Sequence, residues 1–376
     1  MGLTTRAAIM RSAPGDWEIA ELELDGPRDG EVLVRFMASG LCHSDEHVAT
    51  GDAPVRFPLV GGHEGAGVVE AVGAGVSRVK VGDHIVTSFI PVCGTCRYCS
   101  TGHQNMCVEG NRAAVGCLPD ETFRFHIAGG ASGGGEDLGG MCVLGTFSQY
   151  AVISEHSCVA VDPEVPFDVA ALVGCGVGTG WGSAVYVAGV RAGQTAVIFG
   201  VGGVGINAVQ GARYAGARNV IAVDPVEFKR ESAKLFGATH TATPGEQAQQ
   251  LVTQVTDGVG ADHAILTAGL VTQELVEQAV AIIGKGGQVT VTGIPKWGQA
   301  ALQVGMMVGP QKRLSGVLFG GTNPLFDIPR LLTMYRSGDL KLDEIITRRY
   351  TLDQINEGYQ DMRDGKNLRG VIIHEH

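Results

Sequence analysis

The sequence of 376 residues has few charged side chains and no excess of positive charge. Charged residues make up 18% of the chain, and 39 acidic residues outnumber 28 lysines and arginines, which gives a formal net charge of −11. A surface with this balance does not attract phosphate backbones or anionic lipids, so we expect no nucleic-acid partner and no membrane partner. Hydrophobic residues reach 44%, a globular composition that excludes a disordered chain.

The N-terminus lacks the signals that send a chain to a membrane or out of the cell. MGLTTRAAIM has no cationic segment followed by an apolar one, and Arg6 stands where a myristoylation site needs serine or threonine. Residues 169–190 and 194–212 are uncharged over about the length of a membrane span. Glycine interrupts both stretches, so we interpret them as buried α/β core and expect a cytoplasmic protein.

Nine cysteines in a chain without an export signal indicate metal binding or catalysis before disulfides. Cys93, Cys96, Cys99 and Cys107 fall within one short segment. Four thiolates complete the tetrahedral shell of zinc and leave no open position, so this segment predicts a structural zinc site. An iron–sulfur cluster would use the same ligands and is the main alternative.

Cys42, His63 and Cys175 form a second, more dispersed group of possible ligands. GLCHSDEH and GGHEGAG each place one of them close to glycine, where the backbone can bend toward an ion. A single buried cysteine or histidine is usually packed core. Residue type alone therefore leaves a second zinc site and plain core both open.

A glycine-rich turn lies between two apolar runs at the centre of the chain. Gly200 allows a sharp turn, Gly202 lets backbone amides approach a pyrophosphate, and Gly205 lets the following helix pack against its strand. Asp224 ends the second run, at the distance expected for a carboxylate that binds ribose hydroxyls. Its charge would repel a 2′-phosphate, so NAD is favoured over NADP; a glycine-rich α/β turn without a ligand is the alternative.

The hydrophobic pattern changes in character near residue 177. Before it, short alternating strands predict a rolled β-rich domain, with an irregular surface excursion at 111–145 whose segment 128–140 is the most flexible. After it, helices alternate with strands that we expect to be parallel, at 196–199, 220–224, 263–267, 288–293 and 314–319. Two amphipathic helices and a strand at 370–374 follow. The predicted domains are 1–177 with a zinc lobe at about 90–110, 178–320, and 321–376.

Several motifs together resemble the zinc-containing alcohol dehydrogenases of the medium-chain superfamily, in order over nearly the whole chain. They are GLCHSDEH, GGHEGAGVVE, CGTCRYC, VGCGVGTGWGSAV, FGVGGVG and INEGYQDMR with LRGVI. The resemblance implies a Rossmann-type doubly wound parallel sheet domain plus a β-rich GroES-like barrel catalytic domain, and two zinc ions per chain. Cys42, His63 and Cys175 would hold the catalytic zinc. Glu64 would be a carboxylate near the metal, and Asp45 would orient the His63 ring.

The same resemblance implies a mechanism of alcohol oxidation. The open zinc position takes the alcohol oxygen and lowers its pKa, and the resulting alkoxide gives a hydride to the nicotinamide to leave an aldehyde or ketone. Ser44 corresponds to the hydroxyl that touches the substrate oxygen. His47 would pass the proton to water, since histidine exchanges protons near neutral pH.

Positions of the remaining cofactor and substrate contacts also follow from the resemblance. His43 and Arg369 would approach the pyrophosphate, and Lys229 would lie near the adenosine ribose. Many relatives have arginine in place of His43, which implies a weaker and more pH-dependent phosphate contact here. Further cofactor positions are Gly203, Val204, Thr179, Thr292, Ile294, Val317 and Phe319. The substrate-channel positions are Phe89, Val143 and Leu144, whose apolar side chains favour hydrophobic alcohols.

Within the family, the chain is most similar to actinobacterial alcohol dehydrogenases, some of which are nitrosoaniline-dependent nicotinoproteins that keep NAD(H) bound through turnover. The motifs behind this are GLCHSDEHVATGD, ETFRFH, DPVEFKRE and INEGYQDMRDG. The enzymatic alternative is a dehydrogenase of thiol adducts of formaldehyde. The non-enzymatic one is an NAD-binding protein without catalysis. The family forms dimers and tetramers through an edge of the cofactor domain, here near 302–319. Relatives with a long segment after the four-cysteine loop, such as 111–145 here, are usually dimers, so the resemblance implies a homodimer, with a tetramer open.

Overall fold

A computed structural model describes residues 3–127, 135–294 and 304–376 of the chain. The chain divides into two units that differ in their type of sheet. Unit 1 consists of Met1–Cys175, Asn323–Ser337 and Leu342–His376, and unit 2 consists of Gly176–Thr322 and Gly338–Lys341.

The strands of the described residues are, in chain order, β1 (Leu3–Met10), β2 (Glu18–Leu24), β3 (Glu31–Gly40), β4 (Leu59–Val60), β5 (Gly65–Val72), β6 (His84–Thr87), β7 (Phe125–Ile127), β8 (Glu136–Gly140), β9 (Tyr150–Ser154), β10 (Cys158–Ala160), β11 (Thr195–Phe199), β12 (Asn219–Val223), β13 (His240–Ala242), β14 (Ala261–Leu266), β15 (Ile283–Val291), β16 (Arg313–Gly316), β17 (Ile346–Tyr350) and β18 (Arg369–Ile373). The α-helices are α1 (His43–Thr50), α2 (Arg97–Ser100), α3 (Phe167–Leu172), α4 (Gly178–Gly182), α5 (Gly203–Tyr214), α6 (Glu227–Leu235), α7 (Glu246–Val255), α8 (Gln273–Ile282), α9 (Gly305–Val308), α10 (Pro324–Arg336) and α11 (Ile355–Arg363).

Unit 1 is built from a barrel and a second sheet. The barrel closes in the order β1-β2-β7-β8-β4, and the other sheet runs β10-β6-β5-β3-β18-β17 with β9 paired to β3. Inward-facing aliphatic side chains from both sheets fill one core, as expected where strands alternate between a buried and an exposed face. The predicted β-rich barrel domain is confirmed.

The irregular excursion expected at 111–145 is partly wrong. Phe125–Ile127 and Glu136–Gly140 pair with each other and are needed to close the barrel. Both strands are short, and the second consists largely of glycine and acidic residues, which are rare in strands, so the pattern gave no signal. Part of the segment expected to be most flexible, 128–134, lies outside the described residues.

Unit 2 contains a six-stranded parallel sheet in the order β13-β12-β11-β14-β15-β16. Numbered from β11, this is the 3-2-1-4-5-6 order of a Rossmann fold. Every residue of Thr195–Phe199 and Asn219–Val223 is buried, which explains why these strands read as continuous apolar runs. The predicted doubly wound parallel sheet is confirmed.

The sequence pattern missed two further strands, β13 and β17, and predicted β16 to be longer than it is. The strand at His240–Ala242 is short and partly polar, and Ile346–Tyr350 has three exposed residues in its middle, so neither has an apolar run. The strand expected at 314–319 ends at Gly316, and Phe319–Gly321 forms a 3₁₀ turn in which Gly320 has a φ of 63°.

The uncharged stretch that begins before Cys175 forms a helical segment, Phe167–Val187, long and apolar enough to cross a membrane. Of the most apolar 18 residues of this segment, 89% are buried inside the protein. A buried segment of this kind is typical of the core helix of a globular protein, which agrees with the interpretation of residues 169–190 as core.

Candidate active site

Four polar side chains of unit 1 meet in a buried cluster. Their ligand atoms, from Cys42, His63, Glu64 and Cys175, all lie within 4.8 Å of one another, and all four residues are buried. Two thiols, an imidazole and a carboxylate are a donor set suited to zinc. The structure therefore brings together the three dispersed residues whose spacing alone predicted nothing definite.

Three different local structures place these ligands. Cys42 precedes α1 as its N-cap, and His63 and Glu64 occupy the turn before β5. Cys175 lies in a π-helical turn, Val173–Val177, which inserts into the helical segment and redirects its side chains. Such turns are rare and occur frequently at functional sites.

Thr87, which the sequence analysis did not identify, links two of the ligand segments. Its hydroxyl accepts a hydrogen bond from the Gly65 amide at 2.9 Å and lies 3.2 Å from the Gly65 carbonyl, directly after Glu64. A Cβ on Gly174 would lie 2.5 Å from the Thr87 carbonyl oxygen. Glycine at 174 therefore lets the turn that holds Cys175 approach the end of β6, and no motif in the sequence announces this contact.

The orientation of His63 leaves one ring nitrogen for a metal. Nδ1 lies 3.1 Å from Oδ1 of Asp45, whose Oδ2 accepts from the backbone N–H of Cys42 at 3.3 Å. Nε2 is buried and has no hydrogen-bond partner among the described residues. A buried imidazole nitrogen next to two thiols is the arrangement expected of a zinc ligand, so the residues present fit the metal.

Glu64 forms a buried ion pair with Arg369. Oε2 of Glu64 and Nη2 of Arg369 are in contact, and both side chains are almost fully buried. Burial raises the pKa of Glu64 to about 7, although the charge of Arg369 acts in the opposite direction. Arg369 was expected at the pyrophosphate; the contact that the structure gives it within unit 1 is Glu64.

The two thiols of the cluster differ in their acidity. A hydrogen bond from Cys175 lowers the pKa of Cys42 well below its ordinary value, and the same bond, together with burial, raises the pKa of Cys175. His63 also favours the Cys42 thiolate. A thiolate is the form that binds metal, so the cluster is prepared to receive a cation.

The four cysteines of the lobe form a second cluster, whose sulfurs also lie within 4.8 Å of one another. Sγ of Cys93 is 4.0 Å from that of Cys99, and Sγ of Cys96 is 3.9 Å from that of Cys107. The backbone N–H of Cys99 points at the sulfur of Cys96 and is the main reason why the pKa of Cys96 falls to about 6. Four converging sulfurs with amide donors are typical of a structural zinc site.

The glycine turn of unit 2 has the geometry that a dinucleotide requires. Gly200 has a φ of 85°, and a Cβ on Gly205 would lie 1.9 Å from the Gly200 carbonyl oxygen. Around Gly202, by contrast, no described atom lies within 4 Å of a Cβ position. α5 begins at the next residue, so its free amides and positive dipole end adjoin this open space.

Asp224 lies at the end of β12, beside the same turn. Its carboxylate accepts hydrogen bonds from the backbone N–H groups of Val201 and Val226, each at 2.9 Å. A carboxylate has about four acceptor positions, so two remain for ribose hydroxyls. Lys229 lies on α6 and is half-buried.

Comparison with known families decides the assignment. The alcohol dehydrogenase GroES-like domain matches residues 28–163, and the zinc-binding dehydrogenase domain matches residues 203–334. The NDMA-dependent alcohol dehydrogenase of Amycolatopsis methanolica is 55% identical over 374 residues, which cover 99% of each chain. The chain belongs to the zinc-binding alcohol dehydrogenase family.

Other members of the family agree over the full length. The putative alcohol dehydrogenase D of Mycobacterium tuberculosis is 54% identical over 99% of this chain and 100% of its own. Among solved structures, the benzyl alcohol dehydrogenase of Acinetobacter calcoaceticus is 32% identical with a TM-score of 0.91, covering 99% of this chain and 100% of its own. The structure of an alcohol dehydrogenase zinc-binding domain protein of Burkholderia ambifaria is 33% identical with a TM-score of 0.92, covering 100% of both chains. Family members are oxidoreductases, and the predicted resemblance to actinobacterial relatives is confirmed.

The residues expected to move the proton lie on or near α1. Oγ of Ser44 is 3.7 Å from Sγ of Cys42. His47 is buried, and its Nδ1 lies 3.5 Å from Oδ2 of Asp52. His43 is exposed. Ser44 is thus next to a predicted metal ligand, whereas His47 is associated with a carboxylate that the sequence analysis did not consider.

The expected nicotinamide and substrate positions have varied surroundings. In unit 2, the hydroxyls of Thr292 and Ser183 form a hydrogen bond at 2.9 Å, and the Thr179 hydroxyl is buried without a described partner. Of the apolar positions there, Phe319 is buried, Val317 is half-buried and Ile294 is exposed. In unit 1, the ring of Phe89 meets that of His63 edge-on at 5.8 Å. Val143 and Leu144 belong to the buried barrel core, so their side chains are largely committed to packing.

Proposed function

We propose that the protein is a zinc-dependent alcohol dehydrogenase that moves a hydride between an alcohol and NAD. The observation that carries the proposal is the buried convergence of Cys42, His63 and Cys175, with Nε2 of His63 free of any described hydrogen-bond partner. The names of the most similar relatives support the same activity. A non-catalytic NAD-binding protein would have no need for this buried donor set.

Cys42, His63 and Cys175 would hold the catalytic zinc, and a carboxylate oxygen of Glu64 lies within 4.8 Å of all three ligand atoms. Zinc bound there supplies a Lewis acid that favours loss of the alcohol proton. Because Glu64 is paired with Arg369, its charge does not stand uncompensated beside the thiolates. The four lobe cysteines would hold a second, structural zinc.

Ser44 would take up the proton of the alcohol oxygen and release its own, and the ribose hydroxyls and His47 would carry that proton to water. NAD, when bound, would supply the hydride acceptor, so that the overall products would be a carbonyl compound, NADH and one proton. Nδ1 of His47 lies 3.5 Å from Oδ2 of Asp52, and this contact would orient the His47 ring.

NAD is the proposed cofactor because Asp224 presents a negative charge where NADP would place its 2′-phosphate.

The 55% identity to an NDMA-dependent enzyme supports the additional proposal that NAD(H) remains bound through turnover. This predicts that purified protein carries nucleotide that survives gel filtration. Protein that emerges without nucleotide, and is fully active with added NAD, would contradict retention but leave the dehydrogenase function intact.

The function is tested by turnover of a panel of primary, secondary and aromatic alcohols, with NAD and with an artificial electron acceptor. We expect oxidation of plain alcohols without added thiol, abolished by removal of zinc and restored by its return. Activity only with a thiol adduct of formaldehyde would favour that substrate class instead. Undiminished oxidation by metal-free protein would refute the proposal.

Homodimer assembly through unit 2 is also proposed, with a tetramer as the alternative. β16 is an edge strand of the parallel sheet, and side chains near it are apolar and exposed, among them Val304 at 67% and Val308 at 70%. Unpaired edge strands with apolar neighbours favour association with another chain.

The cytoplasm is the proposed location, in keeping with nine cysteines that all lie within the described residues as free thiols.

A further inference from the structure

Tyr359 places a phenol hydroxyl deep inside unit 1. The residue lies on α11 and is 1% exposed, and its ring packs against Trp17 and Phe147 at centroid distances of 6.1 and 6.4 Å. Its hydroxyl has no hydrogen bond of good geometry among the described residues. Buried hydroxyls are normally paired, so phenylalanine would suit a purely apolar role at this position better.

The Asp45 carboxylate is one of the charged groups close enough to this hydroxyl to act on it, together with Cys42 and Glu46. After burial itself, the charge of Asp45 is the largest influence that raises the pKa of Tyr359. Asp45 is fully buried, and its two oxygens accept from Nδ1 of His63 at 3.1 Å and from the amide of Cys42 at 3.3 Å. Each oxygen can accept a second hydrogen bond, so the carboxylate has room for another donor.

α11 is fastened to the segments around Asp45 by polar contacts. Arg363 pairs with Glu46, the neighbour of Asp45 on α1, at 2.9 Å. Asn356 makes two hydrogen bonds with the backbone of Trp17, at 3.0 and 2.9 Å. These contacts hold α11 on both sides of Tyr359 against the segments that carry Glu46 and Trp17.

We propose that Tyr359 is a positioning residue of the catalytic metal site, donating a hydrogen bond to the Asp45 carboxylate that orients His63. The residue touches neither the metal nor the substrate, and it acts through two intermediates. Without this donor, Asp45 retains its charge but loses one of its restraints, and the His63 ring is held less firmly. The inference rests on the proposed function, in that it assumes zinc at Cys42, His63 and Cys175.

The test compares two substitutions of the same kind. Tyr359→Phe removes the hydroxyl and keeps the ring. Tyr350→Phe is the matched control, because Tyr350 is also buried in unit 1 and donates to a carboxylate, that of Asp361 at 2.9 Å, whose ion-pair partners are Arg348 and Lys366. Purified zinc-loaded proteins are exposed to a chromophoric chelator, and the release of each zinc equivalent is timed.

We expect one of two zinc equivalents to leave Tyr359→Phe about tenfold faster than wild type, as for other partners of metal-bound histidines, while the second is unchanged. Tyr350→Phe should release both at wild-type rates. With Co²⁺ in place of zinc, only Tyr359→Phe should shift the visible absorption bands.

Two outcomes overturn the inference alone, namely wild-type release from Tyr359→Phe, or equal acceleration in both variants, which would mean general loosening of unit 1. If the wild-type protein binds no zinc, the proposed function fails first and the inference fails with it. Equal thermal midpoints of the two variants would show that the comparison is made between equally folded proteins.

Discussion

The helix α5 approaches its strand so closely that Gly205 and Gly200 are in backbone contact, and a Cβ at 205 would lie 1.9 Å from the carbonyl oxygen of Gly200. No flexible side chain can move to relieve such a clash, because the obstructing atom belongs to the backbone. Gly202, three residues earlier, has open space in the Cβ direction and a negative φ of −77° that any residue adopts. The glycines of one motif are therefore required for different reasons.

Substitution by alanine separates these reasons. Gly205→Ala should destabilise the protein by about 1–3 kcal/mol, because the helix must shift. Gly202→Ala should leave the unfolding midpoint unchanged but weaken NAD binding at least about tenfold, since the methyl group would occupy the approach to the pyrophosphate. Thermal unfolding and a binding titration of nucleotide-free protein measure the two effects. Unimpaired NAD binding by Gly202→Ala would contradict the proposed path of the pyrophosphate.

The charge of Asp45 is expected to strengthen metal binding through His63. Asp45→Asn keeps an oxygen that can accept from Nδ1 but loses the charge, so the zinc held by His63 should dissociate about 10- to 100-fold faster. Asp353→Asn is the control, because Asp353 forms an exposed ion pair with Arg6. Timed transfer of zinc to a chelator is the measurement. Identical rates of zinc release from Asp45→Asn and Asp353→Asn would show that the Asp45 charge does not strengthen zinc binding.

How much of this site the sequence could predict depends on the distance between its parts. The four lobe cysteines lie in one segment, so their spacing alone predicted the cluster. Cys42, His63 and Cys175 are brought together by a helix N-cap, a turn before a strand and a π-helical turn, none of which leaves a pattern in the sequence. Residue type made them candidate ligands, and the resemblance to a family assigned them to one zinc site.

Residues that support the predicted ligands could not be identified from the sequence for a related reason. Thr87 and Tyr359 act through partners that are distant in sequence, Gly65 and Asp45, and their own neighbourhoods look like ordinary strand and helix. Strands were easier to predict from the sequence where they are buried on both faces, as β11 and β12 are. Prediction was harder where short, polar or glycine-rich strands such as β7, β8 and β13 are stabilised by pairing alone.

Inside unit 1, the buried ion pair of Arg124 and Glu31 should contribute to stability only as a pair. Their side chains are 1% and 4% exposed. Arg124→Met leaves the Glu31 charge without its partner and should cost about 3–5 kcal/mol, whereas Glu31→Gln with Arg124→Met should recover part of that loss. Arg6→Met, which breaks an exposed pair with Asp353, should cost at most about 1 kcal/mol. Denaturant unfolding of the four proteins gives these differences, and an equal cost for Arg124→Met and Arg6→Met would disprove the argument.

His374 should make the protein sensitive to mild acid. Burial lowers the pKa of His374 from 6.5 to about 3, and the charge of His376 acts in the same direction. Nε2 lies 3.1 Å from the Thr146 carbonyl oxygen, while the buried Nδ1 has no described partner that could accept from a second N–H. The folded protein therefore holds this ring neutral under conditions in which the unfolded chain protonates it.

The direction of the pH effect follows from these two pKa values. Above pH 6.5 the ring is neutral in both states, so its contribution to stability is complete. As the pH falls below 6.5, only the unfolded state takes up a proton, and stability declines by up to about 1.4 kcal/mol per pH unit from this residue. His374→Gln keeps a donor for Thr146 but cannot protonate, so its unfolding free energy should fall less steeply between neutral pH and about pH 5. A wild-type slope in His374→Gln would assign the acid sensitivity to other groups.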